Sequence, residues 1–314
     1  MKQNTQLCCA AALLCALFLC FAGCGEAQSE TPNLPPSQQP VSTTRKTKTE
    51  LLLAQSPEQT VYQNESAAID ASCTDKGYIL VRYTGKKKKA KLQVTIPEGT
   101  VYTYTLRTGE YEVFPLTGGS GSYTVDVYGN AYDDMYALEF SQQLQVALAD
   151  EFSPFLYPNQ YVWYTGENQV FDKSIELSRQ SADDLDYVEH VYNYMIENVE
   201  YDEKLAENVP VGYLPDITRT LNSKTGICFD YASLMTALLR MQGIPTRLVV
   251  GYSGEQYHAW IDVYLEQVGW VNNIIYFDGI HWSLMDPTLG AGSSEKRVKK
   301  YIGDGSNYLA KYHY

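Results

Sequence analysis

A thiol, an imidazole and a carboxylate follow one another in the last third of the chain, at Cys228, His258 and Asp286. A cysteine becomes a strong nucleophile when a neighbouring base takes its proton, and a histidine serves as that base when a third polar group holds its ring in place. The chemistry open to such a set is attack on an acyl carbon. Cys228 taken alone reads more simply as a small buried hydrophobe at a helix start. The segments around the other two residues reverse that balance.

Those segments predict the elements that must carry the three groups. Cys228, Tyr231, Ala232, Met235, Leu238 and Leu239 share one face at helical spacing, Gly243 supplies a left-handed cap, and Pro245 prevents continuation. Cys228 then sits in the first turn, where unpaired backbone N–H groups and the positive dipole end favour a thiolate and can hold an oxyanion. After a strand at 247–252, the run 258–264 alternates. Ala259, Ile261 and Val263 take one face, and His258 and Trp260 the other, so His258 begins a strand and points away from the aliphatic core. A third run ends at Asp286, immediately before the strand-breaking Pro287. A helix start, a strand start and a strand end can meet at one point.

Over residues 170–290 the sequence resembles the transglutaminase-like superfamily. The resemblance rests on Gly226-Ile227-Cys228, Tyr231-Ala232, Arg240 with Gly243-Ile244-Pro245-Thr246-Arg247, Gly251-Tyr252, His258-Ala259-Trp260 and Asp286-Pro287-Thr288. Tyr201-Asp202 looks like that family's approach to the catalytic helix. The resemblance implies a papain-like α+β core, with helices packed on an antiparallel sheet. It also implies catalytic roles: His258 takes the proton of Cys228, Asp286 fixes the imidazole tautomer, and the thiolate forms a thioester with an amide carbonyl. Water would then give hydrolysis, and an amine would give a cross-link; hydrolysis is placed slightly ahead. One departure is visible at 266–278, where a dozen residues replace a short turn and are expected to lengthen a hairpin near the cleft.

The rest of the chain sets the context. Residues 1–23 hold an apolar stretch too short to span a bilayer comfortably, and Ala22-Gly23-Cys24 resembles the lipobox of bacterial lipoproteins. The expectation is a removed signal, lipidation of Cys24 and a protein held outside the cytoplasm on the bacterial membrane. Of seven cysteines only Cys24, Cys73 and Cys228 would remain, too few for a disulfide framework. Residues 24–50 read as a flexible tether rich in Gln, Ser, Thr and Pro. Residues 51–150 alternate with period two in short Tyr-, Val- and Thr-rich runs, which predicts a small all-β, immunoglobulin-like sandwich ahead of the 151–314 core. Gly118–Ser122 is expected to be a hairpin turn, and Lys86–Lys89 a solvated turn protecting a sheet edge. Residues 150–166 read as an extended connector touching both parts.

The net charge of −13 argues against a nucleic-acid partner. No metal-ligand spacing stands out, His190 lies within a predicted helix and reads as structural, His281 and His313 lack any partner that would make them ligands, and no cofactor is called for. The acidic stretch at 183–186 suits a helix N-terminus better than a calcium loop. The expected partners are a protein, peptide or cell-wall peptide substrate and the membrane. The alternative is a non-catalytic surface-binding or scaffold lipoprotein that keeps the fold.

Overall fold

The computed structural model describes residues 45–166, 168–266, 269–272, 275–277, 282–284 and 308–314, with the strands at 275–277 and 282–284 described by backbone alone. Asp286, His281 and Cys24 lie outside the described residues.

Eight strands come first: β1 (Val61–Gln63), β2 (Ala67–Asp70), β3 (Tyr78–Tyr83), β4 (Ala90–Thr95), β5 (Val101–Leu106), β6 (Glu112–Pro115), β7 (Gly121–Tyr132) and β8 (Met135–Val146). They form two antiparallel sheets, ordered β1-β2-β3-β6 and β5-β4-β7-β8. Alternation does the sorting. Leu92 and Val94, Tyr102 and Tyr104, and Tyr123, Val125 and Val127 point into one core, with the intervening residues turned outward. Strand β3 is buried on both faces. Ile79 and Val81 join the main core, while Tyr78 and Leu80 pack with Cys73 and Val113 under Tyr111 and Tyr157.

Two turns differ from the sequence reading. Gly118–Ser122 is not a hairpin, because β6 pairs with β3 and β7 pairs with β4 and β8. It carries the chain from one sheet to the other. Lys86–Lys89 likewise joins β3 to β4, each an inner strand of its own sheet, and so guards no edge.

The second half opens with α1 (Gln169–Arg179), α2 (Asp184–Asn198), β9 (Glu200–Tyr201), α3 (Glu203–Glu207), α4 (Ile217–Ser223), β10 (Thr225–Gly226) and α5 (Cys228–Met241). Asn168, Asp183, Asp202 and Asp216 cap α1 to α4 by accepting hydrogen bonds from backbone N–H groups of the first turn. Then come β11 (Thr246–Ser253), β12 (Gln256–Leu265), β13 (Gly269–Val271), β14 (Ile275–Phe277), β15 (Trp282–Leu284) and β16 (Tyr308–His313). The antiparallel sheet runs β13-β12-β11-β16, and β14 pairs with β15 separately.

Helix α5 is the axle of this layer. It packs on α1, α2 and α4 on one side and on β11 and β12 on the other, and every residue from Asp230 to Met241 is buried. A helix enclosed all round needs more than the single apolar face seen in the sequence, and Ser233, Thr236 and Arg240 fill the remaining directions. Gly243 ends it at φ 79°, as its sequence predicts.

The two layers share one continuous core, and residues 42–314 form a single compact unit. The connector makes the joint. Gln160 donates to the Val113 and Thr105 carbonyls of the sandwich, and the Tyr157 and Tyr161 carbonyls accept from Arg240 and Ser233 of α5. Residues 45–48, read from the sequence as part of a tether, are held in the structure. Arg45 donates to Asp184, Ser178 and the Gln242 carbonyl and lies over the Tyr187 ring, which fixes the chain to the helical layer.

Candidate active site

The site starts from a two-residue parallel pairing. β9 and β10 align Glu200 with Thr225 and Tyr201 with Gly226, and the Asp202 N–H donates to the Gly226 carbonyl. The approach segment thus lies beside the strand that leads into α5, and Cys228 is the first residue of that helix. Its N–H and the next two have no partner within the helix, so they can receive a developing oxyanion.

Asp230 locks this turn in place. Its carboxylate is fully buried and accepts from the Ile227 N–H at 3.0 Å, from Tyr213 Oη at 2.7 and 2.8 Å and from Arg219 at 2.9 Å. Ile227 has no polar side chain, so only the returning half of a capping box is formed. Gly226 is needed because a Cβ there would come within 2.6 Å of Asp230 Cβ. Burial raises the Asp230 carboxyl above its usual range, against the lowering effect of its hydrogen bonds and Arg219. Burial and the bond to Asp230 push Tyr213 up to about 12. Sequence reasoning missed this group; an acid three residues after the N-cap was the available signal.

His258 is the third residue of β12, opposite Gly251 of β11, and is 9% exposed. Ala259, Ile261 and Val263 belong to the core, as the alternation predicts, yet the other face is also covered. Trp260 is buried edge-on against Tyr308, and its ring lies 6.4 Å from that of His258. Gly251 makes room for this second layer. A Cβ there would reach Trp260 at 2.8 Å and collide with the Leu309 carbonyl.

Cys228 and His258 line the same cavity of about 320 Å³. Its walls are Ile227 and Phe229 beside the thiol, Val250, Tyr257 and Ala259 from the sheet, Tyr201, Ala206 and Val209 from the approach segment, and Tyr161 and Tyr314. Cys73 and Cys228 are both free thiols, and Cys73 is buried with its sulfur 3.7 Å from the Gln55 carbonyl. Among the described residues no cluster of three His, Cys, Asp or Glu side chains could hold a metal ion, and no helix is long and apolar enough to cross a membrane.

The insertion after β12 departs from expectation where it is described. β13 pairs with Val263–Leu265, the end of β12 remote from His258. Trp270 there packs on Phe155 and under the Arg247 guanidinium, 3.5 Å from the ring centroid. This part of the insertion braces the back of the sheet instead of bordering the cleft.

Residues 173–287 match the model of the transglutaminase-like superfamily, and this segment is a transglutaminase-like domain in an α+β chain. Over 140 residues the sequence is 30% identical to kyphoscoliosis peptidase of Mus musculus, covering 40% of this chain and 19% of that one. Over 105 residues it is 27% identical to a protein-glutamine gamma-glutamyltransferase of Pseudomonas aeruginosa, covering 28% and 14% respectively. A Cytophaga hutchinsonii chain solved as a candidate cysteine protease aligns with 82% of this chain and 74% of its own, at 16% identity and a TM-score of 0.36. The chain spans a fifth or less of the length of those two curated relatives.

Proposed function

We propose that the protein is a thiol enzyme that cleaves or transfers amide bonds of proteins, peptides or cell-wall peptides, with hydrolysis ahead of acyl transfer. The observation that carries this reading is the shared cavity, with Cys228 at the start of α5 on one wall and His258 of β12 on another. In the reaction the Cys228 proton passes to His258, sulfur bonds to the amide carbon, and the C–N bond breaks as His258 returns the proton to the leaving amine. Water or a second amine then gives a proton to His258 and attacks the thioester, and the C–S bond breaks to restore the thiol. Asp286 is proposed as the group that orients the imidazole. The reading includes an extracytoplasmic location, with a lipid on Cys24 holding the chain to the membrane.

Competitive labelling with iodoacetamide tests the first step. Cys228 is expected to react at least about tenfold faster than Cys73, which is buried and inert. Equal or slower labelling of Cys228 would remove the case for catalysis. Mass spectrometry of a peptide and cell-wall library incubated with the wild type and with Cys228→Ala then distinguishes added water from amine exchange.

A further inference from the structure

The choice of acyl group rests on the thiol-enzyme reading: given a nucleophilic Cys228, the walls of its cavity decide what the sulfur meets. In a chain of net charge −13, the described lining of this cavity contains no Asp, Glu, Lys or Arg. Its inner wall is aromatic: Tyr161 meets Phe229 edge-on at 5.2 Å and Tyr314 at 4.7 Å. Burial raises both tyrosine hydroxyls, so the wall carries no charge near neutrality. The volume of about 320 Å³ is at the small end of the roughly 300–1,000 Å³ typical of ligand pockets. It suits one side chain with its amide and is too small for an oligosaccharide.

The apolar surface continues beyond the mouth. Helix α5 packs on β11 and β12, whose Val250 and Ala259 are buried, and starts at Cys228; two residues further along the same face the strands are uncovered, at the rung of Tyr252 and Tyr257. On that rung Tyr257 of β12 lines the cavity and is 58% exposed. Directly across from it is Tyr252 of β11, the two rings 5.5 Å apart, and across from Tyr252 is the exposed Leu309 of β16. Residues directly opposed on neighbouring strands share a face, so the three form a row over three strands. On the approach segment Val209 lines the cavity, and Val211 stands fully exposed nearby in sequence. Scattered apolar residues need no explanation, but a row that continues a cavity next to a nucleophile does.

We propose that the acyl donor is a peptide or protein segment with an apolar or aromatic side chain beside the attacked amide, seated on Tyr161, Phe229 and Tyr314. The adjoining chain lies along Tyr257, Tyr252 and Leu309. Desolvation sets the preference. A carboxylate or ammonium seated against Tyr161, Phe229 and Tyr314 loses water and meets no side chain of opposite fixed charge there, whereas an apolar group gains by burial. Amides flanked by charged residues, as in acidic or basic peptides, are disfavoured.

The test is a matched set of peptidyl acyloxymethyl ketones, which alkylate a thiolate with loss of a carboxylate, bearing Phe, Leu, Asp or Lys beside the reactive ketone, with iodoacetamide as the reference. Labelling of Cys228 in the full chain is followed by mass spectrometry. The Phe and Leu probes are expected to react at least about tenfold faster than Asp and Lys. Tyr257→Asp, with its fold checked by circular dichroism, is expected to reduce that advantage and favour the Lys probe. Equal rates across the set, with Cys228 still ahead of Cys73 toward iodoacetamide, would overturn the pocket assignment and leave the thiol reading intact. A Cys228 that is unreactive to iodoacetamide as well would overturn both.

Discussion

A buried carboxylate two residues from Cys228 tolerates little change in its company. Arg219→Leu would leave Asp230 with one ion partner fewer, and because the Arg219 side chain is 44% exposed the expected cost is about 1–2 kcal/mol, below that of a fully buried pair. The sign with pH is determined. Asp230 already has a raised folded-state value, and removing the guanidinium raises it further, so the stabilising form is the protonated one. The deficit of Arg219→Leu should therefore be greatest near neutrality and shrink as pH falls through that raised value, measurable by urea denaturation from pH 7 to 4. Arg240 is a different case, buried with its guanidinium shared among the Thr246, Tyr157 and Tyr314 carbonyls and lowered to about 10 by burial. Arg240→Met should cost roughly 3 kcal/mol or more, and Arg240→Lys should not restore the loss, since an ammonium cannot span three carbonyls in the guanidinium geometry. The place of Cys228 at a helix start was legible in the sequence, whereas His258, expected to begin its strand, is the third residue of β12 because Gln256 and Tyr257 also pair with β11. Tyr213 and Arg219 were not legible, because nothing local says that a loop and a short helix fold back onto Asp230.

Strands announce themselves by period two, but their partners do not. The runs that became β3, β4, β5 and β7 were legible in the sequence; that Gly118–Ser122 crosses between sheets was not, since two strands of one sheet and two strands of facing sheets alternate alike. The same limit hid the burial of both faces of β12, because β16 returns from far along the chain to lie beside β11. Gly251→Ala tests how tightly that return is held. The added methyl must displace the β16 backbone or Trp260, and a loss of roughly 2–4 kcal/mol in thermal or chemical denaturation is expected, with faster amide exchange in Leu309 to Tyr312. Strand β16 also carries an acid-sensitive group. Burial, with Arg247 nearby, lowers His313 to about 4 from 6.5, so the fold favours its neutral form. Its contribution is present above pH 6.5 and is lost as pH falls toward 4, by about 3 kcal/mol at most. His313→Gln should flatten that part of the stability–pH curve.

At the scale of the whole molecule, the sandwich and the layer that holds Cys228 meet through rings. Tyr102 and Tyr104 of β5 contact Tyr314 edge-on at 5.4 and 5.9 Å, and Tyr104 also stacks on Tyr161, so two walls of the cavity rest on the first half of the chain. Calorimetry should show one unfolding transition for both layers, and Tyr102→Ala should lower it as a whole instead of splitting it. Tyr104→Phe should be neutral or stabilising by up to about 1 kcal/mol, because its hydroxyl is buried without a hydrogen-bond partner. The connector was legible as a segment touching both parts, but the degree of fusion was not, since tyrosines on a strand look the same whether they face a sheet or a second layer.

Arg45 grips the chain at Gln242, one residue beyond α5, while Cys228 stands at the other end of that helix. At about 1.5 Å per residue, roughly 20 Å of rigid rod separates the two. A bead or chip coupled at the exposed Lys46 would thus hold the molecule at the end of α5 remote from Cys228 and leave the mouth of the cavity free.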